Sequence, residues 1–484
     1  MEFLDKLVIP QSAENLLLLN YLQALAQMIF LIYAGVLFGS TIFSVYFNIS
    51  GKKSGNEKYL NLSKDMIDLI TSQKSFAFGL GIVPFLSLIF SYIQLLSNTG
   101  VPVPLYLTLA FFLFLAAIMM IYVYQHTSDL THVIKYFDRT VERSVPDRRT
   151  KYYLEFRNTN ENLSARSGVW GALVLFLSLW LFIGSINLAV ESERWGSITT
   201  IFGVLFSVST FIKMFHFITI SLAITGIAFL TKKFRWETDP IYDDPEYLEF
   251  AKKFNLTVAL IFTILQPVFF LFNLFSTPEP ALNSIVFSLT IFAVFLIFLL
   301  SHFLYVMVRY NKSEYITQSF IMIIIVFALL IVKEQTAFGV SNKKQIAELD
   351  ETYTQKHREM LAAVGRGGVE VNGEEIYKGR CMACHQFDEK LVGPPHKEVL
   401  PKYIDNEEAL VEFILNPVKI NPDYPPMPNQ GLKPNEAEAV ADYMLEHYGP
   451  RLEGGGGGKS PEADNEAEGE NNSASEDDNT EENI

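Results

Sequence analysis

Cys381-Met382-Ala383-Cys384-His385 is the stretch whose reading decides the C-terminal part of the chain. Two cysteines three positions apart, followed at once by a histidine, form an attachment site for a c-type haem. The thiols add covalently to the two vinyl groups of the porphyrin. His385 then lies against the porphyrin face and offers its imidazole to the iron. The chain holds only 2 cysteines in 484 residues, so neither has another thiol partner here, and the second pair that a zinc site needs is missing.

The flanks carry further landmarks. Gly373-Glu374-Glu375-Ile376-Tyr377 predicts a short helix with an aromatic at its end. Gly393-Pro394-Pro395 predicts a loop, because proline cannot continue a helix. A helical stretch at 406–415, a proline-rich loop holding Met427-Pro428 and an amphipathic helix at 434–448 follow. In this order the segment resembles class I cytochrome c. The resemblance implies an all-α haem domain with Met427 as the sixth iron ligand, opposite His385. A thioether there raises the reduction potential relative to bis-histidine ligation. Of the rival ligands, Met444 is expected to pack the last helix and His396 to face solvent beside Pro395.

Upstream the composition changes. Hydrophobic residues make up 50% of the chain and 40 residues are Phe, far from the average of soluble domains. Apolar runs of membrane-spanning length recur near 20–48, 78–98, 102–125, 169–190, 199–230, 255–275, 284–308 and 315–332. The predicted architecture is therefore all-α: a polytopic eight-helix transmembrane bundle (1–332), a juxtamembrane helix and linker (333–368), a class I cytochrome c domain (369–450) and an acidic tail (451–484). Ser341 to Leu361 reads as a charged helix and Gly365-Arg366-Gly367-Gly368 as its break, a stiff rise ending in a hinge. The tail is too polar to bury a core and reads as disordered. It supplies much of the net charge of −15 and suits steering of a basic partner as well as simple solvation. No nucleic-acid module, phosphate-binding glycine loop or hydrolase constellation stands out.

Basic residues set the expected orientation. Lys52, Lys53, Lys58, Lys64 and Lys74 follow the first run, and Lys135 to Arg166 contain a dense basic segment between the third and fourth. Lys232, Lys233, Arg235, Lys252 and Lys253 lie between the fifth and sixth, and Arg309 and Lys312 between the last two. The intervening loops, near 99–101, 191–198 and 276–283, contain only Arg194. Basic loops face the cytoplasm, so both termini are expected outside, with the cytochrome domain on the periplasmic or outer side of a multi-pass cell-membrane protein. The acidic start (Glu2, Asp5, Glu14) predicts direct insertion of the first helix rather than a cleaved leader.

Three histidines fall in or beside the spans, where ionisable groups are functional candidates by default. His216 lies roughly 22 Å from Thr231 at 1.5 Å per residue, in the half of the membrane away from the basic loops. Lys213 is its neighbour one turn away. His302 and His126 lie near the basic side. His302 is a lesser candidate for a haem iron, and His126 reads as a capping or interface residue. Lys213-Met214-Phe215-His216, with Ser221 and Ile224-Thr225-Gly226 behind it, resembles the helix of cytochrome bd quinol oxidase subunit I that supplies a haem b ligand. Phe76-Ala77-Phe78-Gly79 and Leu109-Ala110-Phe111-Phe112-Leu113 fit the same resemblance. It implies a haem b on His216, with Lys213 at a propionate. Departures are equally plain. The first helix has Gln27 or a neighbour where that family has a histidine, the second and third spans lack glutamates, and the quinol-binding loop shrinks to 276–283. The equipment for reducing oxygen is therefore missing.

For His216 three roles stay open: haem b ligand, quinone-site residue with Lys213 as a further contact, or hydrogen-bonded structural residue. The expected function is electron transfer between membrane quinol and an external carrier through the covalent haem c, as in a quinol:cytochrome c oxidoreductase component. Expected partners are membrane lipid, the quinol pool, a soluble cytochrome or oxidase complex and other membrane subunits. A bd-type oxidase subunit fused to a cytochrome c, and a haemless scaffold docking a cytochrome to a larger complex, are the alternatives.

Overall fold

The computed structural model describes residues 11–141, 148–198, 200–237, 244–363 and 372–453, and every regular element among them is helical. The glycine break at 365–368 and the tail beyond Glu453 lie outside the described residues. The chain divides into two units, Met1–Gln355 and Lys356–Ile484.

The first unit is a membrane-spanning bundle with 8 helices long and apolar enough to cross a bilayer. They are α1 (Ala13–Ser54), α3 (Lys74–Leu95), α4 (Val103–Val141), α5 (Arg148–Val190), α6 (Val208–Thr231), α7 (Pro245–Ser276), α8 (Ser284–Tyr310) and α9 (Ile316–Ser341). A shorter amphipathic helix, α2 (Glu57–Thr71), joins the first two spans. Each predicted run corresponds to one span, with three differences. Ser207 caps α6 by accepting from the Thr210 amide, so the run at 199–230 breaks and α6 begins at Val208. Helix α4 continues past His126, which is exposed in mid-helix rather than capping an end. The last run does not stop at 332, because α9 carries Lys333 and Glu334 onward to Ser341.

Lipid tails are as apolar as leucine, so burial of apolar surface does not drive these helices together; close packing and internal polar pairs do. Helix α1 packs against α3, α5, α6 and α9. Its Gly35 and Gly39 face Ser221 and Thr225 of α6. A methyl group on Gly39 would run into the Thr225 side chain and the Ser221 carbonyl, the small-residue contact that lets two membrane helices approach. Beside this seam Phe30 of α1 meets Phe85, Phe114 and Phe182 of three neighbours at centroid distances of 4.7, 5.2 and 4.7 Å. The tilted and edge-on geometries are those that aromatic quadrupoles favour. Outward, α8 exposes Ile285, Ile291, Phe295 and Phe298, a surface that only lipid covers at no cost.

Pro267 shapes the site. It breaks α7 at Leu265, because its ring removes a helix donor. The Gln266 side chain donates to the Phe262 carbonyl one turn back at 2.9 Å. After α9, helix α10 (Lys343–Ala363) starts docked rather than free. Asn342 donates to Ala189 O at 3.0 Å, Gln345 to Ser97 O at 2.7 Å, and Leu349 is buried.

The second unit holds α11 (Gly373–Ile376), which widens into a π-turn over Tyr377–Cys381, then α12 (Glu407–Leu415) and α13 (Pro434–Glu453). A side chain on Gly373 would strike the Ala439 carbonyl, so this glycine permits α11 to cross α13. Tyr377, Leu400, Leu410, Ile414, Val440 and Met444 form the core. Met444 packs the last helix as expected. His396 does not face solvent: it is 3% exposed, and its Nε2 meets the Tyr377 hydroxyl at 2.8 Å.

Overpacking a close helix contact costs about 1–3 kcal/mol. Gly39→Leu is accordingly expected to lower the thermal unfolding midpoint of the detergent-solubilised protein. Gly79→Leu, at a position with nothing within 4 Å, is expected to leave it in place. Equal midpoints for the two variants would mean that the α1–α6 seam is not tight.

Candidate functional site

In the second unit the chain builds a cleft around the cysteine pair. The π-turn ends on Cys381, and the amides of Cys384 and His385 both bond to the Cys381 carbonyl at 3.1 and 3.0 Å. This tight turn holds both half-buried thiols beside the His385 ring. Burial pushes the Cys381 thiol up from its ordinary range, with Arg380 opposing. The following loop is stitched back by Gly393 N to Cys384 O at 2.9 Å and His396 N to Gln386 O at 2.9 Å. Gly393 lies so close to the His385 imidazole that any side chain there would collide with it.

His385 Nδ1 lies 3.1 Å from the Pro394 carbonyl. A carbonyl only accepts, so Nδ1 carries the proton and Nε2 keeps its lone pair, the tautomer an iron ligand requires. Behind it the His396 ring stacks at 5.2 Å and 10°. Burial first, then the neighbouring His385, push the His396 imidazole down to about 4, so it is neutral.

Met427 reaches the same cleft from the proline-rich loop. That loop is pinned from both sides. Arg380 Nη1 donates to Gln430 O at 2.8 Å, and Asn429 Nδ2 donates to Leu415 O at 2.8 Å. The cleft and its open mouth span about 1290 Å³, and its walls include Leu400, Ile414 and Val440 beside Cys381, His385 and Met427. Two thiols, one imidazole in the ligating tautomer, one thioether and apolar walls fit a covalent haem.

The first unit has a second concavity, about 570 Å³, reached by α1, α5, α6, α7 and α9. His216 and Lys213 both line it, as their spacing implies. His216 is 2% exposed. Asn273 Nδ2, brought round by the break in α7, lies 2.6 Å from His216 Nδ1. An amide nitrogen only donates, so Nδ1 is the acceptor and the proton sits on Nε2. Among the described residues that buried Nε2 has no partner at hydrogen-bond distance, and the Gln266 side chain of α7 is the polar group that bears on the ring. Phe269 stacks on the ring at 6.0 Å and Phe270 meets it edge-on at 4.8 Å.

Lys213 does not stand alone. Its Nζ lies 2.6 Å from Glu334 Oε2, and Lys333 Nζ lies 2.8 Å from Glu334 Oε1. Glu334 borders the cavity, and so does Gln27 from α1. Among the described residues no second imidazole and no thioether lines the cavity. One imidazole in the donor tautomer, with no second ligand beside it, does not fit a haem held by two side-chain ligands. It fits a small polar-edged ring.

Sequence reasoning missed three members. Asn273 reads as the polar end of an apolar run. Lys333 and Glu334 read as its exit into water, whereas the span continues beyond them; only the apolar Ala337, Phe338 and Val340 that follow hint at this. His302 is exposed on α8 and joins neither site. Of the remaining landmarks, Ser221 and Thr225 face Gly35 and Gly39, and Gly226 meets the Asn255 carbonyl of α7. These are packing contacts.

The cytochrome c family model matches residues 370–447. Cytochrome c-551 of Pseudomonas denitrificans is 37% identical over 78 residues, spanning 15% of this chain and 94% of that protein. Cytochrome c-552 of Hydrogenobacter thermophilus is 32% identical over 91 residues, spanning 18% and 92%. Cytochrome c-552 of Nitrosomonas europaea is 30% identical over 84 residues, spanning 16% and 81%. No solved structure matches the chain. With its cysteine pair, adjoining histidine and cleft in the matched segment, the chain belongs to the cytochrome c family, and it carries that domain after a membrane-spanning bundle in the sequence.

Proposed function

We propose that this protein is a respiratory electron-transfer subunit that passes electrons between membrane quinol, held beside His216, and an external carrier through haem c on Cys381 and Cys384. One observation carries the quinol half. A single intramembrane cavity offers an unpartnered Nε2–H at His216, a cation at Lys213 and flat aromatic and aliphatic walls. A quinone head group needs that combination: hydrogen-bond donors for its oxygens and an apolar slot for its ring. When bound, haem c supplies one-electron iron chemistry. Cys381 and Cys384 hold the porphyrin, Pro394 orients His385, and Arg380 and Asn429 steady the loop of Met427. The basic loops favour the placement of the cavity in the outer half of the membrane and of the cytochrome domain outside.

A second reading, haem b on His216, draws on the Lys-x-x-His step and on the same unpartnered Nε2. It needs the Asn273 amide turned to present its oxygen, and a second ligand. The bd-type oxidase reading additionally lacks carboxylates from α3 and α4 at the cavity, whose lining includes neither helix.

Added quinol is expected to reduce the haem c of the purified protein. His216→Leu and Lys213→Met are expected to slow that reduction at least tenfold while leaving reduction by a small water-soluble donor unchanged. Quinol reduction indifferent to both variants would remove the cavity from the pathway. A pyridine haemochrome assay is expected to give one haem c per chain; a haem b that disappears in His216→Ala would instead establish the second reading. Met427→His is expected to retain covalent haem and lower its midpoint potential, and an unchanged potential would exclude Met427 as the ligand.

A further inference from the structure

We propose that the cavity beside His216 takes its ring ligand as an oxyanion, the deprotonated form of a quinol or hydroxyquinone, with the negative oxygen at Lys213. This refinement rests on the quinol reading above.

The inference comes from counting charge at the cavity. Lys213 and Lys333 flank Glu334 at 2.6 and 2.8 Å, with side-chain exposures of 12%, 2% and 14% for Lys213, Lys333 and Glu334. Two ammonium groups and one carboxylate leave one positive charge in excess inside the bundle. The other elements at the cavity do not cancel it. Helix α1 contributes the neutral amide of Gln27, α5 contributes Phe182, Ile183 and Ile186, and α7 contributes the neutral amide of Asn273. His216 takes its single proton on Nε2 and is neutral. The nearest buried carboxylate by sequence, Glu191 beyond the end of α5, is engaged by Arg194 at 2.6 Å and by the Ser209 hydroxyl at 2.6 Å.

A buried uncompensated charge is unfavourable, and an anion bound at Lys213 offsets it. The hydrogen-bonding pattern agrees. Lys213 is a donor only and His216 Nε2 carries a hydrogen, so both ask for an acceptor, while Asn273 Oδ1 is a buried acceptor without a partner among the described residues and suits a hydroxyl elsewhere on the ring. Glu334, clamped by both lysines, is the one carboxylate present and its oxygens are already engaged. Phe182, Phe217 and Phe327 supply walls that suit a flat ring and that a phosphate or a free carboxylate would leave uncovered.

The test uses the full-length solubilised protein and two probes. One is a 2-hydroxy-3-alkyl-1,4-naphthoquinone, ionised at neutral pH; the other is its 2-methoxy counterpart, which cannot ionise. The hydroxy compound is expected to bind at least tenfold more tightly. Lys333→Met is expected to erase that preference while the methoxy affinity holds, and Glu334→Gln to widen it. Equal binding of the two probes to the unaltered protein would overturn the oxyanion while leaving the quinol site standing. Binding of neither probe would overturn the quinol site itself and the oxyanion with it. Should Lys333→Met fail to fold, the ratio of the two affinities on the unaltered protein decides by itself.

Discussion

A carboxylate clamped between two ammonium groups inside a bundle of apolar helices is the interaction on which the membrane unit turns. In hydrocarbon no water relieves an unpaired charge, so Lys213 on α6 must find Glu334 on α9, and Lys333 must find it too. Removing one partner of such a buried pair costs about 3–5 kcal/mol, a large share of the stability of an ordinary domain. The pairing fixes how far α9 runs through the bundle and which of its faces turns toward α6. It also explains why two charged residues continue a span rather than end it. The close seam of Gly35 and Gly39 against Ser221 and Thr225 then sets the distance between α1 and α6. Polar pairing thus selects the rotation of the helices, and small residues select their separation.

The cytochrome unit is governed by backbone geometry instead. Short loops with prolines and a π-turn leave few ways to arrange two thiols and an imidazole, and each loop is returned to the body of the unit by a hydrogen bond. Gly393 and Gly373 mark where the backbone comes closest, one against the His385 ring and one against the Ala439 carbonyl. Each position excludes a side chain for a steric reason, not for flexibility. Such a unit holds its thiols and imidazole together by local connectivity, whereas the cavity beside His216 is assembled from five helices.

That contrast decides how much the sequence could reveal. Eight apolar runs and a five-residue motif are local signals, and both survive translation into structure. The cysteine pair, His385 and Met427 meet at one cleft because the motif and loop order already encode it. The membrane site was half legible. Lys213 and His216 are one turn apart, so a single helix presents them together. Glu334 lies 121 positions from Lys213, and Asn273 lies 57 positions from His216; no periodicity links residues across such gaps. His302 was misjudged for a related reason. In a helix that is apolar all round, hydropathy does not say which face meets lipid. His396 looked like a loop residue until Tyr377, 19 positions away, supplied a buried partner.

His385 and His216 also separate two chemistries that the residue name conceals. His385 Nδ1 faces a carbonyl, which can only accept, so its Nε2 presents a lone pair. His216 Nδ1 faces an amide nitrogen, which can only donate, so its Nε2 presents a hydrogen. Neither choice is made by the imidazole, since both tautomers of a free ring are accessible. In the first case Pro394 makes it, a residue held by a short loop after the cysteine motif. In the second Asn273 makes it, delivered by the break that Pro267 forces into α7. A proline therefore stands behind each tautomer, once by fixing the loop whose carbonyl receives the proton and once by bending a helix until its amide reaches the ring. A ring that offers a lone pair and a ring that offers a hydrogen follow from the same side chain because the backbone around each was shaped differently.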